Sequence, residues 1–225
     1  WELSGIYAAL ARQAQGIAAG NISLRYVLDS TTSSAQPFSC SGIGSGAAYL
    51  TLEALTQASR PGEDGTWRNF VSSQKIAWKT GTSYGFRDAW AIGVTTCYTV
   101  AVWVGNADGE GRANLIGVAT AAPVMFDIFS LLPSSVWFSP PWFDLKPVVT
   151  CRQSGHQASP ACTDTVTEYV PAVRTKTLPC PYHQKVLVDK THRYRLTQRC
   201  ASQEEMVEVS WFVLPPAQEW YYSKL

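Results

Sequence analysis

Between Ala89 and Gly105 the chain runs for seventeen residues without a charge. That length is near the minimum for a membrane-spanning helix. Three threonines, Gly93 and dense β-branching favour a pair of strands instead. Ile76-Ala77-Trp78 is strand-like too, so the spacing predicts an antiparallel sheet in which residues 94–104 lie beside the Lys79 strand and bury its inner face. Helices flank it. Leu3, Ile6, Tyr7 and Leu10 fall at i, i+3, i+4 and i+7, the pattern of a core helix ending near Gly16 to Gly20. Ile22 to Leu28 alternates as a strand, and Asp29 to Ser39 reads as a loop. Gly42-Ile43-Gly44-Ser45-Gly46 lacks a third glycine at the required spacing and the preceding strand of a nucleotide site, so it reads as a turn into a helix from about Ala47 to Ser59. Residues 117–132 form a further helix packing back on the sheet. The fold class is α/β, of the α+β kind, with an antiparallel sheet and packed helices.

The first of these strands ends in Lys79-Thr80-Gly81-Thr82-Ser83, with Asp88-Ala89-Trp90 close behind. An edge strand offers unpaired N–H and C=O groups to an extended peptide, and Gly81 has no side chain to hold that peptide off. Lys79 supplies a point charge, and Thr80 and Thr82 supply hydroxyl donors, a set suited to a substrate that ends in a carboxylate. Asp88 and Trp90 are expected to support the turn rather than to react. Arg112 is expected to be a solvated loop residue. The plainer reading, a surface turn after an ordinary strand, would stand if the tripeptide were alone.

The match is longer than that. Lys79 to Ser83, Asp88-Ala89-Trp90 with Gly93, and Val102-Trp103-Val104-Gly105-Asn106 resemble, in order and spacing, the end of the transpeptidase domain of class A bifunctional penicillin-binding proteins. The resemblance spans roughly the first 130 residues. It implies a domain of the penicillin-binding and β-lactamase type, from a peptidoglycan synthase that joins a glycosyltransferase to a serine D-Ala-D-Ala transpeptidase. Peptidoglycan stem peptides and β-lactams would be its ligands. It further implies that Lys79 and Thr82 act in catalysis, with the Thr82 N–H in the oxyanion hole, and that Thr80, Gly81 and Thr82 bind substrate. The location implied is the periplasmic face of the inner membrane, anchored by a segment outside this chain.

One departure follows from the same resemblance. The family uses a Ser-x-x-Lys nucleophile and a Ser-x-Asn, and no Ser-x-Asn occurs here. Ser72-Ser73-Gln74-Lys75 has the first spacing but lies four residues before Lys79 and runs into a strand, so it reads as a chance match. Residues 1–10 resemble the helix that follows Ser-x-Asn. The expectation is a C-terminal piece of a larger enzyme, inactive alone, whose upstream part carries the nucleophile. Charged residues make up 16% of the chain, against about 25% in ordinary domains, and with nine Trp this favours surface that is covered by that part.

Residues 1–132 are therefore expected to be the transpeptidase portion and 133–149, rich in proline and aromatics, an extended linker docked on it. Residues 150–225 would form an incomplete, β-rich, cysteine-rich module. Cys151, Cys162, Cys180 and Cys200 suggest disulfides; of the three possible pairings the sequential one, Cys151–Cys162 with Cys180–Cys200, is expected because each bond closes a short local loop. Zinc is the rival, because Cys180-Pro181-Tyr182-His183 has ligand spacing, but no second close pair appears; no metal or cofactor is expected. Cys40 and Cys97 read as small apolar residues. A net charge of +1, spread evenly, gives no case for nucleic acid. Two other functions compete: a non-enzymatic module recruiting a periplasmic envelope protein, with weak or absent transpeptidase activity, and a serine β-lactamase.

Overall fold

The computed structural model describes residues 1–17, 42–58, 60, 74–174, 178–197, 199 and 202–224. The expected strand at 22–28, its following loop, Cys40, Ser72 and Cys200 lie outside them. The chain divides into two units, Trp1–Leu145 and Lys146–Leu225.

In the first unit the uncharged run folds into strands as expected, but residues 88–94, not 94–104, lie beside the Lys79 strand, because each strand pairs with its nearest neighbour along the chain. β1 (Ala77–Thr82), β2 (Asp88–Val94) and β3 (Thr99–Gly105) make an antiparallel sheet in the order β1-β2-β3. Alternation along a strand sends successive side chains to opposite faces, and both faces are covered. Ala77 and Val94 pack against α1 (Glu2–Ala14) and α2 (Ser45–Leu55). Ile76, Trp78 and Ala91 pack against α3 (Gly117–Leu131), chiefly on Ala121, Ala122, Met125 and Phe129. Fully burying side chains the size of Met125 and Phe129 stabilises the layer by about 2–3 kcal/mol each. Among the described residues no helix is long and apolar enough to cross a membrane.

Half of the expected stripe of α1 holds, since Tyr7 and Leu10 pack against the core, and the other half does not. Gly5, Ala9, Ala11 and Ala14 are buried, whereas Leu3 and Ile6 are exposed. Small residues let α1 and α2 approach closely, and that contact, rather than the larger apolar stripe, sets the helix's rotation. The glycine-rich turn does lead into α2, two residues earlier than expected. Asp144 Oδ2 accepts from the Gly46 N–H at 2.8 Å, placing a carboxylate at the helix's positive end. A Cβ on Gly46 would meet the Asp144 carbonyl oxygen at 2.6 Å, so this approach requires glycine.

The segment expected as a linker is divided. Phe138 is buried in the core beside α1 and α2, and the Trp137 indole donates to Glu53 Oε1. Lys75 Nζ donates to both Glu53 oxygens at 2.8 and 2.9 Å, and the Tyr49 hydroxyl adds a bond of 3.0 Å. Burial alone would raise the Glu53 pKa, but the hydrogen bonds from Lys75, Trp137 and Tyr49 outweigh it and hold the group below its usual range. A carboxyl depressed in the folded state contributes stability above its unfolded pKa of about 4.3 and loses it as pH falls through the folded value. Acidification below about pH 4.3 is therefore expected to lower the melting temperature. Glu53→Gln should start about 1–3 kcal/mol less stable at neutral pH and show a flatter acid limb in parallel melts. Parallel acid limbs would contradict this role.

The second unit holds β4 (Leu145–Cys151) paired with β5 (Thr165–Pro171), and β6 (His183–Asp189) paired antiparallel with β7 (Met206–Phe212). A short helix, α4 (Pro216–Tyr222), follows, with the Tyr222 and Phe212 rings 6.1 Å apart. The aliphatic interior is thin: among described residues after Lys146, only Val186 and Val188 are buried aliphatics.

Candidate functional site

Among the described residues β1 is an edge of its sheet, and Lys79, Gly81 and Thr82 on it are exposed. The Ser83 N–H donates to the Asp88 carbonyl at 3.0 Å, so Ser83 faces β2. Backbone groups alternate sides along a strand, which turns the N–H and C=O of Thr80 and Thr82 toward the open edge. Lys79 Nζ folds over that edge and donates to the Thr80 carbonyl at 2.7 Å. Side-chain alternation separates the candidate polar groups: Lys79 lies on the α1/α2 face, whereas Thr80 and Thr82 lie on the α3 face. Thr82 Oγ1 accepts from the Gly117 N–H at 3.0 Å, satisfying an orphan donor of α3's first turn and leaving its own O–H free to donate.

The turn after the motif is tied from both ends. The Asp88 N–H donates to Ser83 Oγ at 2.8 Å, and the Trp103 indole donates to Asp88 Oδ1 at 2.9 Å. The Trp103 indole, then the Ser83 hydroxyl, hold the Asp88 carboxyl below its usual pKa. Trp90 stands opposite Trp103, with ring centroids 6.5 Å apart. Gly85 and Phe86 both take positive φ, 78° and 56°, to close the loop. Arg112 is exposed, and its N–H bonds the Phe86 carbonyl at 3.1 Å. The Thr82–Gly117 joint and the Trp103 partner of Asp88 carry no signal in the sequence, since both join residues distant along the chain.

Two glycines at this edge are predicted to behave differently. A Cβ on Gly117 would lie 2.5 Å from the Trp90 oxygen and 2.6 Å from the Gly81 oxygen, both backbone atoms. Gly117→Ala is therefore expected to push α3 off the strand, break the Thr82 bond and cost about 1–3 kcal/mol. A Cβ on Gly81 meets only Trp90 Cβ at 3.7 Å, an ordinary contact, so Gly81→Ala should melt within about 0.5 kcal/mol of the parent. Equal losses in thermal melts of the two variants would contradict this picture.

The second unit carries another convergence. Cys151 ends β4, Cys162 sits in the loop to β5, Cys180 precedes β6 and His183 opens it. All four ligand atoms lie within 4.8 Å of one another. The disulfide expected between Cys151 and Cys162 is absent; both thiols, and that of Cys180, are free. The physical reason is that the sulfurs surround a third group, His183 Nδ1, instead of facing each other as a pair. The expected Cys180–Cys200 pair reaches outside the described residues. Burial opposes ionisation of Cys180, but hydrogen bonds from the Ser154 hydroxyl and from His183 bring it down to about 6.

Lys-Thr-Gly-Thr thus ends an edge strand of an antiparallel sheet that has helices on both faces, and Lys-Thr-Gly is a signature found in penicillin-binding proteins and class A β-lactamases. No family model matches the chain. Penicillin-binding protein 1C of Escherichia coli (strain K12) is 37% identical over 92 residues, 41% of this chain and 12% of that protein. Penicillin-binding protein 1A of Clostridium botulinum (strain Langeland) is 33% identical over 82 residues, 36% of this chain and 10% of that protein. A crystal structure of penicillin-binding protein 1A from Haemophilus influenzae covers 61% of this chain and 21% of its own, at 25% identity and a TM-score of 0.42. The chain is class A penicillin-binding-protein-like, and the matches span only about a tenth of the length of those curated relatives.

Proposed function

We propose that this chain is the C-terminal part of a bifunctional peptidoglycan synthase and contributes one wall of its D-Ala-D-Ala transpeptidase site. The observation that carries the reading is the Lys79-Thr80-Gly81-Thr82 motif on an open sheet edge. In this mechanism a serine from the upstream part of the protein attacks the D-alanyl-D-alanine carbonyl, the terminal D-alanine leaves, and an amine of a neighbouring stem peptide resolves the acyl-enzyme. The stem peptide lies along the edge of β1 as an added strand. Lys79 supplies positive charge beside the proton-shuttling groups and the substrate carboxylate. Thr80 and Thr82 donate hydroxyls from the other face of the strand, and the outward Thr82 N–H forms half of the oxyanion hole. Asp88 and Trp90 hold the turn that presents the motif. The intact enzyme then works at the outer face of the inner membrane, anchored by a segment beyond this chain, and its ligands are stem peptides and β-lactams.

The test is release of D-alanine from pentapeptide-bearing peptidoglycan by the full-length polypeptide, read together with the fate of penicillin. Release with cross-link formation and a long-lived penicillin adduct supports the reading. Rapid penicillin turnover without release would replace it with a β-lactamase, and neither activity would leave only a recruiting role.

A further inference from the structure

We propose that Cys151, Cys162, Cys180 and His183 form a structural zinc site that holds the second unit together. Distances within the cluster support a metal centre. His183 Nδ1 lies 3.4 Å from Cys151 Sγ and 3.5 Å from both Cys162 Sγ and Cys180 Sγ. A tetrahedral zinc with Zn–S bonds of about 2.3 Å and Zn–N of about 2.05 Å would set each of these edges at about 3.6 Å. One nitrogen almost equidistant from three unbonded sulfurs is the arrangement of a Cys₃His site, and soft thiolates with one imidazole select zinc over harder cations.

The surroundings fit thiolates rather than thiols. The Ser159 N–H donates to Cys162 Sγ at 3.3 Å, and the Ser154 hydroxyl donates to Cys180 Sγ at 3.2 Å. Such outer hydrogen bonds orient ligands and offset the negative charge of the sulfurs. Four protein ligands leave no open position, which marks a structural and not a catalytic metal.

Ligand placement supplies the reason for the site. Cys151 and Cys162 come from the β4–β5 hairpin, and Cys180 and His183 from the entry to β6, so one ion would join two separate two-stranded sheets. Three of the ligands are also among the few buried side chains of this unit, beside Thr150, Val186 and Val188. A unit of this size with so small an apolar interior needs a disulfide, a metal or a partner to remain folded. Cys180-x-x-His183 is the only close ligand pair, because the other two ligands are brought in by the loop between β4 and β5.

The test is metal analysis of the purified 225-residue chain beside Cys180→Ser, Cys162→Ser and, as control, Cys97→Ser. The expected result is about one zinc ion per chain in the parent and in Cys97→Ser, falling to background in both ligand variants. Should those variants fail to fold, cobalt substitution of the parent decides: thiolate-to-cobalt charge-transfer bands with tetrahedral d–d absorption support the site. Three outcomes would overturn it. They are a metal-free parent with Cys151 and Cys162 joined in a non-reducing peptide map, full zinc retention in both ligand variants, and a cobalt spectrum without thiolate bands.

Discussion

Lys79→Ala in the full-length polypeptide is expected to lower the rate of penicillin acylation by at least about 10²- to 10³-fold, the usual cost of removing one positioned electrostatic contact from an acyl-transfer site. The same change should leave the melting temperature nearly unmoved. Lys79 is exposed, and among the described residues its ammonium bonds only a carbonyl at the rim of its own strand, so its loss from the fold is worth no more than about 0.5 kcal/mol. Acylation kinetics and thermal melts on one preparation separate the two effects. Retained acylation at the parental rate would remove Lys79 from the mechanism. A matched collapse of both quantities would make it a folding residue.

The second large effect concerns the proposed zinc. Withdrawing the ion with a strong chelator is expected to unfold residues 146–225 while the three-stranded sheet of the first unit persists. Structural zinc contributes on the order of 10 kcal/mol of apparent folding free energy at neutral pH. Burial of Val186 and Val188 offers only about 2–3 kcal/mol each and cannot replace it. Hydrogen exchange resolved by peptide gives the readout: amides of β4 to β7 should lose protection after chelation, and those of β1 to β3 should keep it. Unchanged protection in β6 and β7 would mean that the Phe212 contacts with His183 and Tyr222 suffice to hold this unit.

Much of the first unit was legible because its signals are local. The uncharged run from Ala89 to Gly105 has the β-branching and turn residues of a hairpin, and a one-residue slip of the motif strand before it would expose Trp78, but which half of the run lies beside that strand was not read correctly. The rotation of α1 was not legible. Leu3 and Ile6 form the larger apolar stripe, yet the helix packs through Gly5, Ala9 and Ala14, since close approach to α2 favours small side chains over large ones. Nor did the sequence distinguish the two faces of the motif strand in use: period-2 alternation was readable, but the seat of Thr82 on Gly117 depends on where α3 begins. The cysteines were misleading for a related reason. Pairing by shortest loop joins Cys151 to Cys162, whereas the fold sets both beside a histidine 21 residues or more further on. Cys180-x-x-His183 was the readable half of that cluster, and the other half exists only once the β4–β5 hairpin has formed.

The most direct measurement for the central claim is fluorescent-penicillin labelling of the full-length polypeptide, followed by peptide mapping of the adduct. The account predicts a stable label on a serine outside these 225 residues, formed at least about 10²-fold more slowly in the Lys79→Ala protein. A label on Ser72, or no label on folded full-length protein, would contradict it.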